Sequence, residues 1–236
     1  MKNLKAWLVI LPLITIACSD ENTEHTIESA NKPNITKKSV IGPENAANPY
    51  DSAGMLHNEI LEILDETTSN SQSIEEITIL IDSLSAVHPD LMLLSNNPTV
   101  SSRVSEITSI VNTNDPATDL LGTLSLSTSA RVSFLAFLDS LLLAADSPYE
   151  DIHPIIVSYE TSVIGSNSFS ALDKQIILTA SSVARYSVAK KKRKDQDWDT
   201  SVTNIVAAAS GAGQNSVLGL KMSATVDIYQ NTHPTN

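Results

Sequence analysis

From Asn48 onward, apolar residues recur at three- and four-residue spacing, the period of an amphipathic helix. Leu56, Ile60 and Leu64 share one face, with Glu59, Glu62 and Asp65 elsewhere. Ser73 and Glu76 read as a capping box ahead of Ile77, Leu80, Ile81, Leu84 and Val87, and His88-Pro89-Asp90 ends that helix. Val100, Val104, Ile107 and Val111 form a further stripe, stopped by the polar run from Asn112 to Pro116. Residues 128–145 are the most apolar stretch of the domain, with Phe134, Phe137, Leu138 and Leu141 to Leu143 wrapping most of the circumference. Such a helix is expected at the centre of a bundle.

Ser147-Pro148-Tyr149-Glu150 predicts another helix start, with Pro154 either kinking the helix or delaying it. After a break at Gly165 to Asn167, Ser170 and Asp173 cap a long helix carrying Ile176, Ile177, Ala180, Val183, Ala184 and Val188. Val202, Ile205, Val206 and Ala209 continue helically as far as Gly211-Ala212-Gly213. Residues 214–236 are ambiguous. Val217, Leu220, Ala224 and Ile228 fit a helix, whereas Met222, Ala224, Val226 and Ile228 alternate like a strand. The expected fold is all-α, a single bundle of six or seven helices over residues 48–236.

The N-terminus has a different pattern. Lys2 and Lys5 precede an apolar run from Trp7 to Ile16, which is half the ~20 residues needed to span a bilayer. Its length and flanks fit the apolar core of a secretory signal peptide. It ends in Thr15-Ile16-Ala17-Cys18, which resembles a bacterial lipobox. The resemblance implies cleavage after residue 17 and a lipid on Cys18. Thr15 stands where that pattern usually has leucine. Cys18 is the sole cysteine, so no internal disulfide can form, and acylation gives a lone exported thiol its reason. Residues 18–47, rich in Ser, Asn, Glu, Lys, Thr and Pro, read as the lipidated cysteine and a disordered tether. Ser19-Asp20-Glu21-Asn22 resembles the acidic export signal of surface lipoproteins of the Bacteroidota, which implies display on the outer leaflet. An ordinary polar tether start has the same composition. The expected address is therefore the cell envelope, lipid-anchored at the outer membrane, with the surface and periplasmic faces both open.

Removing residues 1–17 takes away Lys2 and Lys5 and no acid, moving the formal charge from -12 to -14. So acidic a domain repels nucleic acid and anionic phospholipid, and no nucleic-acid partner is expected. The expected partners are the membrane, through the anchor, and an envelope or extracellular protein or glycan. An aromatic share of 4% argues against a sugar-stacking platform.

Candidate chemistry is sparse. Asn48-Pro49-Tyr50-Asp51, with Gly54, His57 and Asn58, is the most unusual local cluster. Tyr50, Asp51, His57 and Asn58 form a possible polar site at a helix start, suited to an anion or a sugar hydroxyl. Equally, Asp51 or Ser52 caps the helix, Pro49 fixes its entry and Tyr50 packs beside it, which accounts for every residue. This stretch, with Ala184-Arg185-Tyr186-Ser187 and Trp198, resembles short islands in uncharacterised lipoproteins of the Bacteroidota, and the resemblance implies no activity.

The basic run Lys190, Lys191, Lys192, Arg193 and Lys194 is a possible contact for phosphate groups of an anionic surface. The plainer reading is a solvated helix end beside Asp195, Asp197 and Asp199. No two histidines stand at ligand spacing, so neither a metal site nor any cofactor is expected. Ser187 and Lys190 match Ser-x-x-Lys without its companion motifs, so no catalytic residue is expected there. The rival to a binding or structural module is a lipid-anchored hydrolase or carbohydrate-active enzyme using acids such as Glu59 or Asp151. A third reading is a membrane-active or self-associating protein acting through the small-residue segment Ile205 to Leu220.

Overall fold

The computed structural model describes residues 41–65, 72–92, 97–113, 122–193 and 201–233. Residues 1–40, the stretch expected to hold the signal peptide, Cys18 and most of the tether, lie outside them, as do Lys194 and Trp198. Among the described residues there are nine α-helices and no strand: α1 (Asp51–Asp65), α2 (Ile74–Ser85), α3 (Pro89–Met92), α4 (Val104–Val111), α5 (Thr128–Leu143), α6 (Tyr149–Gly165), α7 (Ala171–Arg193), α8 (Ser201–Ala212) and α9 (Ser216–Thr232). A single 3-10 turn, Ser101–Arg103, leads into α4. The all-α expectation holds. The ambiguous tail is helical, with the Asn215 side chain accepting the Leu218 amide at 2.9 Å as its cap. None of these helices is long and apolar enough to cross a membrane.

Local signals explain most boundaries. Ser73 and Glu76 make the expected reciprocal capping box at α2. Ser170 and Asp173 do the same at α7, the Asp173 amide donating to Ser170 Oγ at 3.0 Å and the Ser170 amide to Asp173 at 2.9 Å. Val87 lies beyond the end of α2 and is 70% exposed, so the apolar stripe stops a turn earlier than its spacing suggests. At α6 Pro148 takes the cap position instead of Ser147, without a side-chain cap, and the helix continues through Pro154.

The centre of the bundle is not the most apolar helix. On α5, Val132 is 62%, Leu142 43% and Leu143 90% exposed. The buried layer is α7, α8 and α9 instead. Every described residue from Ile176 to Lys191 is buried, as is every one from Val217 to Ile228. α7 packs against α1, α6, α8 and α9, so no face is left for solvent. Two apolar clusters flank this layer. One joins α5, α6, α7 and α8 through Phe134, Ile156, Val183 and Ile205. The other joins α1, α2, α4 and α9 through Ile60, Ile77, Ile107 and Met222.

Close backbone approach sets two of these contacts. A Cβ on Gly54 would lie 2.4 Å from the Ser182 carbonyl oxygen, so α1 rests on α7 at a distance only glycine permits. A Cβ on Gly219 would lie 2.6 Å from the Ala208 carbonyl, which brings α8 and α9 together in the same way. The segment Ile205 to Leu220 therefore spends its small faces inside the bundle.

The folded unit runs from Val40 to Asn236. Residues 42–47, read from sequence as tether, belong to it. Pro43 is buried, the Gly42 carbonyl accepts the Tyr149 hydroxyl at 3.2 Å, and Asn45 reaches Glu160. Composition misleads here because Asn45 pairs with Glu160 and Pro43 is buried, while Glu44 stays exposed.

Candidate functional site

A buried ionic network joins the segment before α1, and α1 itself, to α6 and α7. Glu160 and Arg185 are both fully buried. Arg185 donates to Glu160 through Nε and Nη2, each at 3.2 Å, and to Asp51 Oδ1 through Nη2 at 2.6 Å. Glu160 also accepts Asn45 Nδ2 at 2.6 Å, Asn48 Nδ2 at 2.8 Å and Ser181 Oγ at 3.0 Å. Tyr186 donates its hydroxyl to Asp51 at 3.3 Å. The Gly54 amide donates to Ser182 Oγ, which in turn donates to the Asp51 carbonyl. A carboxylate taken out of water needs this number of donors, because a buried charge without partners is costly. Burial and then the Arg185 charge lower the pKa of nearby His153, against the pull of Glu160 and Glu44.

A second polar cluster lies further along α1. His57 is fully buried, with Nδ1 3.3 Å from Asn58 Oδ1 and Nε2 3.8 Å from Asp227 Oδ2. Asp227, on α9, accepts Asn204 Nδ2 at 3.0 Å and lies 3.6 Å from Lys191 Nζ. Burial pushes the His57 pKa down to about 4, against the pull of Asp227, and the Lys190 and Lys191 charges lower it further. His57 is therefore a neutral imidazole at pH 7.

These contacts locate the sequence candidates. Asp51 joins the Arg185 network, and Asn58 donates Nδ2 to the Tyr186 carbonyl at 3.0 Å. His57 faces Asp227, and Tyr50 is half-buried, with its amide bonded to Asn48 Oδ1 at 2.8 Å. The four do not converge on one open site. Asp51, His57 and Asn58 tie α1 to its neighbours, the Asp51 carboxylate accepting from Arg185, Tyr186 and the Asn45 amide. The two short islands, around Asn48 to Asn58 and Ala184 to Ser187, do meet in space, because α1 and α7 pack along those residues.

The basic run needs a correction. Lys190 and Lys191 are 8% and 4% exposed, so neither is a solvated helix end or a surface contact. Asp227 supplies the counter-charge to Lys191 inside the bundle. The side chains of Lys192, Arg193 and Lys194 lie outside the described residues. Of the two acids named for hydrolysis, Asp151 is exposed on α6 and Glu59 pairs with His88 at 3.1 Å beside α1.

Sequence reasoning missed Glu160, although its position carries a signal. It falls on the stripe Ile152, Ile156, Glu160, Val163, where a charge interrupts the buried face of α6. Lys221 has the same signature on α9, and it reaches Asp82 at 3.3 Å and the Pro98 carbonyl at 2.9 Å. Burial lowers the Lys221 pKa, and Asp82 opposes that shift.

A concavity lies elsewhere, between α4 and the C-terminal end of α8. It is a cleft of about 740 Å³ whose wall includes Ser102, Ser105, Ser109, Ser125 and Ser210 together with Arg103, Glu106 and Gln214. Arg103 donates to Glu106 at 2.7 Å and to Gln214 at 2.6 Å, and Ser210 donates to the other oxygen of Glu106. The charged pair is thus held in place before any ligand arrives. Hydroxyls that donate and accept, beside an arginine with five N–H donors, match a polar ligand rich in hydroxyl groups.

No family model, curated protein or solved structure matches the chain.

Proposed function

We propose that this chain is an envelope lipoprotein, held at the outer membrane by a lipid on Cys18, whose helical domain is a non-enzymatic binding module. The carrying observation is the hydroxyl-lined cleft at Arg103 and Glu106, of a volume usual for small-ligand sites. The buried networks support the same reading. Arg185 and Glu160 are enclosed and paired with each other, so they act within the scaffold and leave the cleft to bind. The order of positive charge, apolar run, small residue and cysteine at the N-terminus supports the anchor. The ligand class that best fits the wall is a glycan, bound through hydroxyls and not through ring stacking.

The test is a glycan array probed with the detergent-solubilised full chain and with Arg103→Ala. Retention of a defined set of glycans by the wild type, with at least a tenfold weaker signal for the variant, is the expected result. That factor corresponds to the loss of about one or two hydrogen bonds from a charged donor. Equal retention by both proteins, or none by either, would remove the cleft as the binding site.

A further inference from the structure

We propose that Glu59, His88 and Asp90 form a binding site for one divalent transition-metal ion of the Zn²⁺ or Mn²⁺ class. One ligand atom from each side chain lies within 4.8 Å of the other two. Sequence spacing gives no hint of this, because Glu59 comes from α1 and the other two from the corner between α2 and α3.

The corner is well fixed. The His88 amide donates to the Leu84 carbonyl at 2.9 Å, and its own carbonyl accepts the Met92 amide at 2.9 Å. Pro89 follows directly and restricts His88 further. The imidazole is only 10% exposed, with Nε2 3.1 Å from Glu59 Oε1. Its other nitrogen, Nδ1, is buried and has no hydrogen-bond partner. Asp90 is exposed and Glu59 partly so, which leaves the outer side open to an incoming ion and its waters.

A simple ion pair accounts for His88 and Glu59 but gives no reason for a second carboxylate at the same point. Two carboxylates beside one imidazole make an N,O,O donor set of the kind that holds a divalent cation. The nitrogen donor sets the class. Ca²⁺ and Mg²⁺ take all-oxygen shells, whereas imidazole with carboxylates suits Zn²⁺ and Mn²⁺. Tetrahedral ligand atoms at ~2.1 Å from zinc stand roughly 3.5 Å apart. Glu59 and His88, 3.1 Å apart, already meet that spacing, the exposed Asp90 side chain is free to rotate onto the ion, and water completes the shell. Such an ion would tie α1 to the α2–α3 corner.

The test uses the full chain in detergent, carrying Cys18→Ser so that no thiolate competes. Equilibrium dialysis against Zn²⁺, and electron paramagnetic resonance with Mn²⁺, give stoichiometry and affinity. One ion per chain is expected. Affinity should fall at least about 100-fold in His88→Gln, because losing a direct ligand should cost no less than losing its supporting partner does. Glu59→Gln, at a partly exposed position, carries the test if His88→Gln alters the helical circular dichroism, and the same loss is expected of it. Absence of a bound ion, or uptake unchanged in both variants, overturns the site.

Discussion

Replacing Arg185 with leucine is expected to cost about 3–5 kcal/mol of folding stability, the usual penalty for removing one partner of a buried ion pair. Arg185 and Glu160 are both without exposed surface, and Arg185 is the cation that both Glu160 and Asp51 contact. After the change, Glu160 keeps Asn45, Asn48 and Ser181 as donors but has no opposite charge. The penalty arises mainly from this stranded carboxylate. Glu160→Gln placed on top of Arg185→Leu should therefore recover part of the loss, since the amide needs no counter-ion. Urea denaturation followed by circular dichroism reads both effects. A loss below about 1 kcal/mol for Arg185→Leu would mean that water reaches the pair, as it does at surface salt bridges.

The second large effect is a dependence of stability on pH between 6.5 and 4, set by His57. Its ring is fully buried, and its pKa falls from 6.5 to about 4 in the folded chain. The unfolded chain therefore binds a proton in that window while the native chain does not, so stability rises with pH there and falls on acidification. The loss begins as pH drops through 6.5 and is complete near pH 4, reaching on the order of 3 kcal/mol. Asp227 pulls toward protonation and the Lys190 and Lys191 charges push against it, but burial dominates. His57→Gln removes the titration and keeps a polar side chain. The stability difference between wild type and variant should change across this window and be flat above pH 7. A difference that stays constant from pH 7 to 4 would show that His57 is as accessible to protons folded as unfolded.

The helical period was readable in the chain because most elements are amphipathic and two carry capping boxes, at Ser73 and at Ser170. The position of the centre was not. Composition favours α5, with its phenylalanines and leucines, over α7, whose buried face includes Ser181, Ser182, Arg185 and Lys191. Hydropathy ranks those residues as surface. They are inside because Glu160, Asp51 and Asp227 arrive from other elements to pair with them. Pairing partners far apart in sequence leave no periodic trace, so a bundle with an ionic middle reads wrongly from a single chain.

The same reason governs the sites. Asp51, His57 and Asn58 stood out in sequence, and they do contact the residues around Arg185 and Tyr186. Their common role, holding α1 on α7, needed the close approach at Gly54 to become visible. The cleft at Arg103 and the Glu59–His88–Asp90 cluster each draw on separate elements, and neither has a local motif.

If the helical domain is the lipid-anchored module proposed above, its anchor is readable as a mass. The most direct measurement is the intact and N-terminal mass of the native protein, extracted from the membranes of cells that express the complete chain. The expected result is a chain that begins at Cys18 and carries a diacylglyceryl thioether, with Cys18→Ser keeping the full precursor length. A chain in the soluble fraction that retains Met1 and an unmodified Cys18 would contradict it.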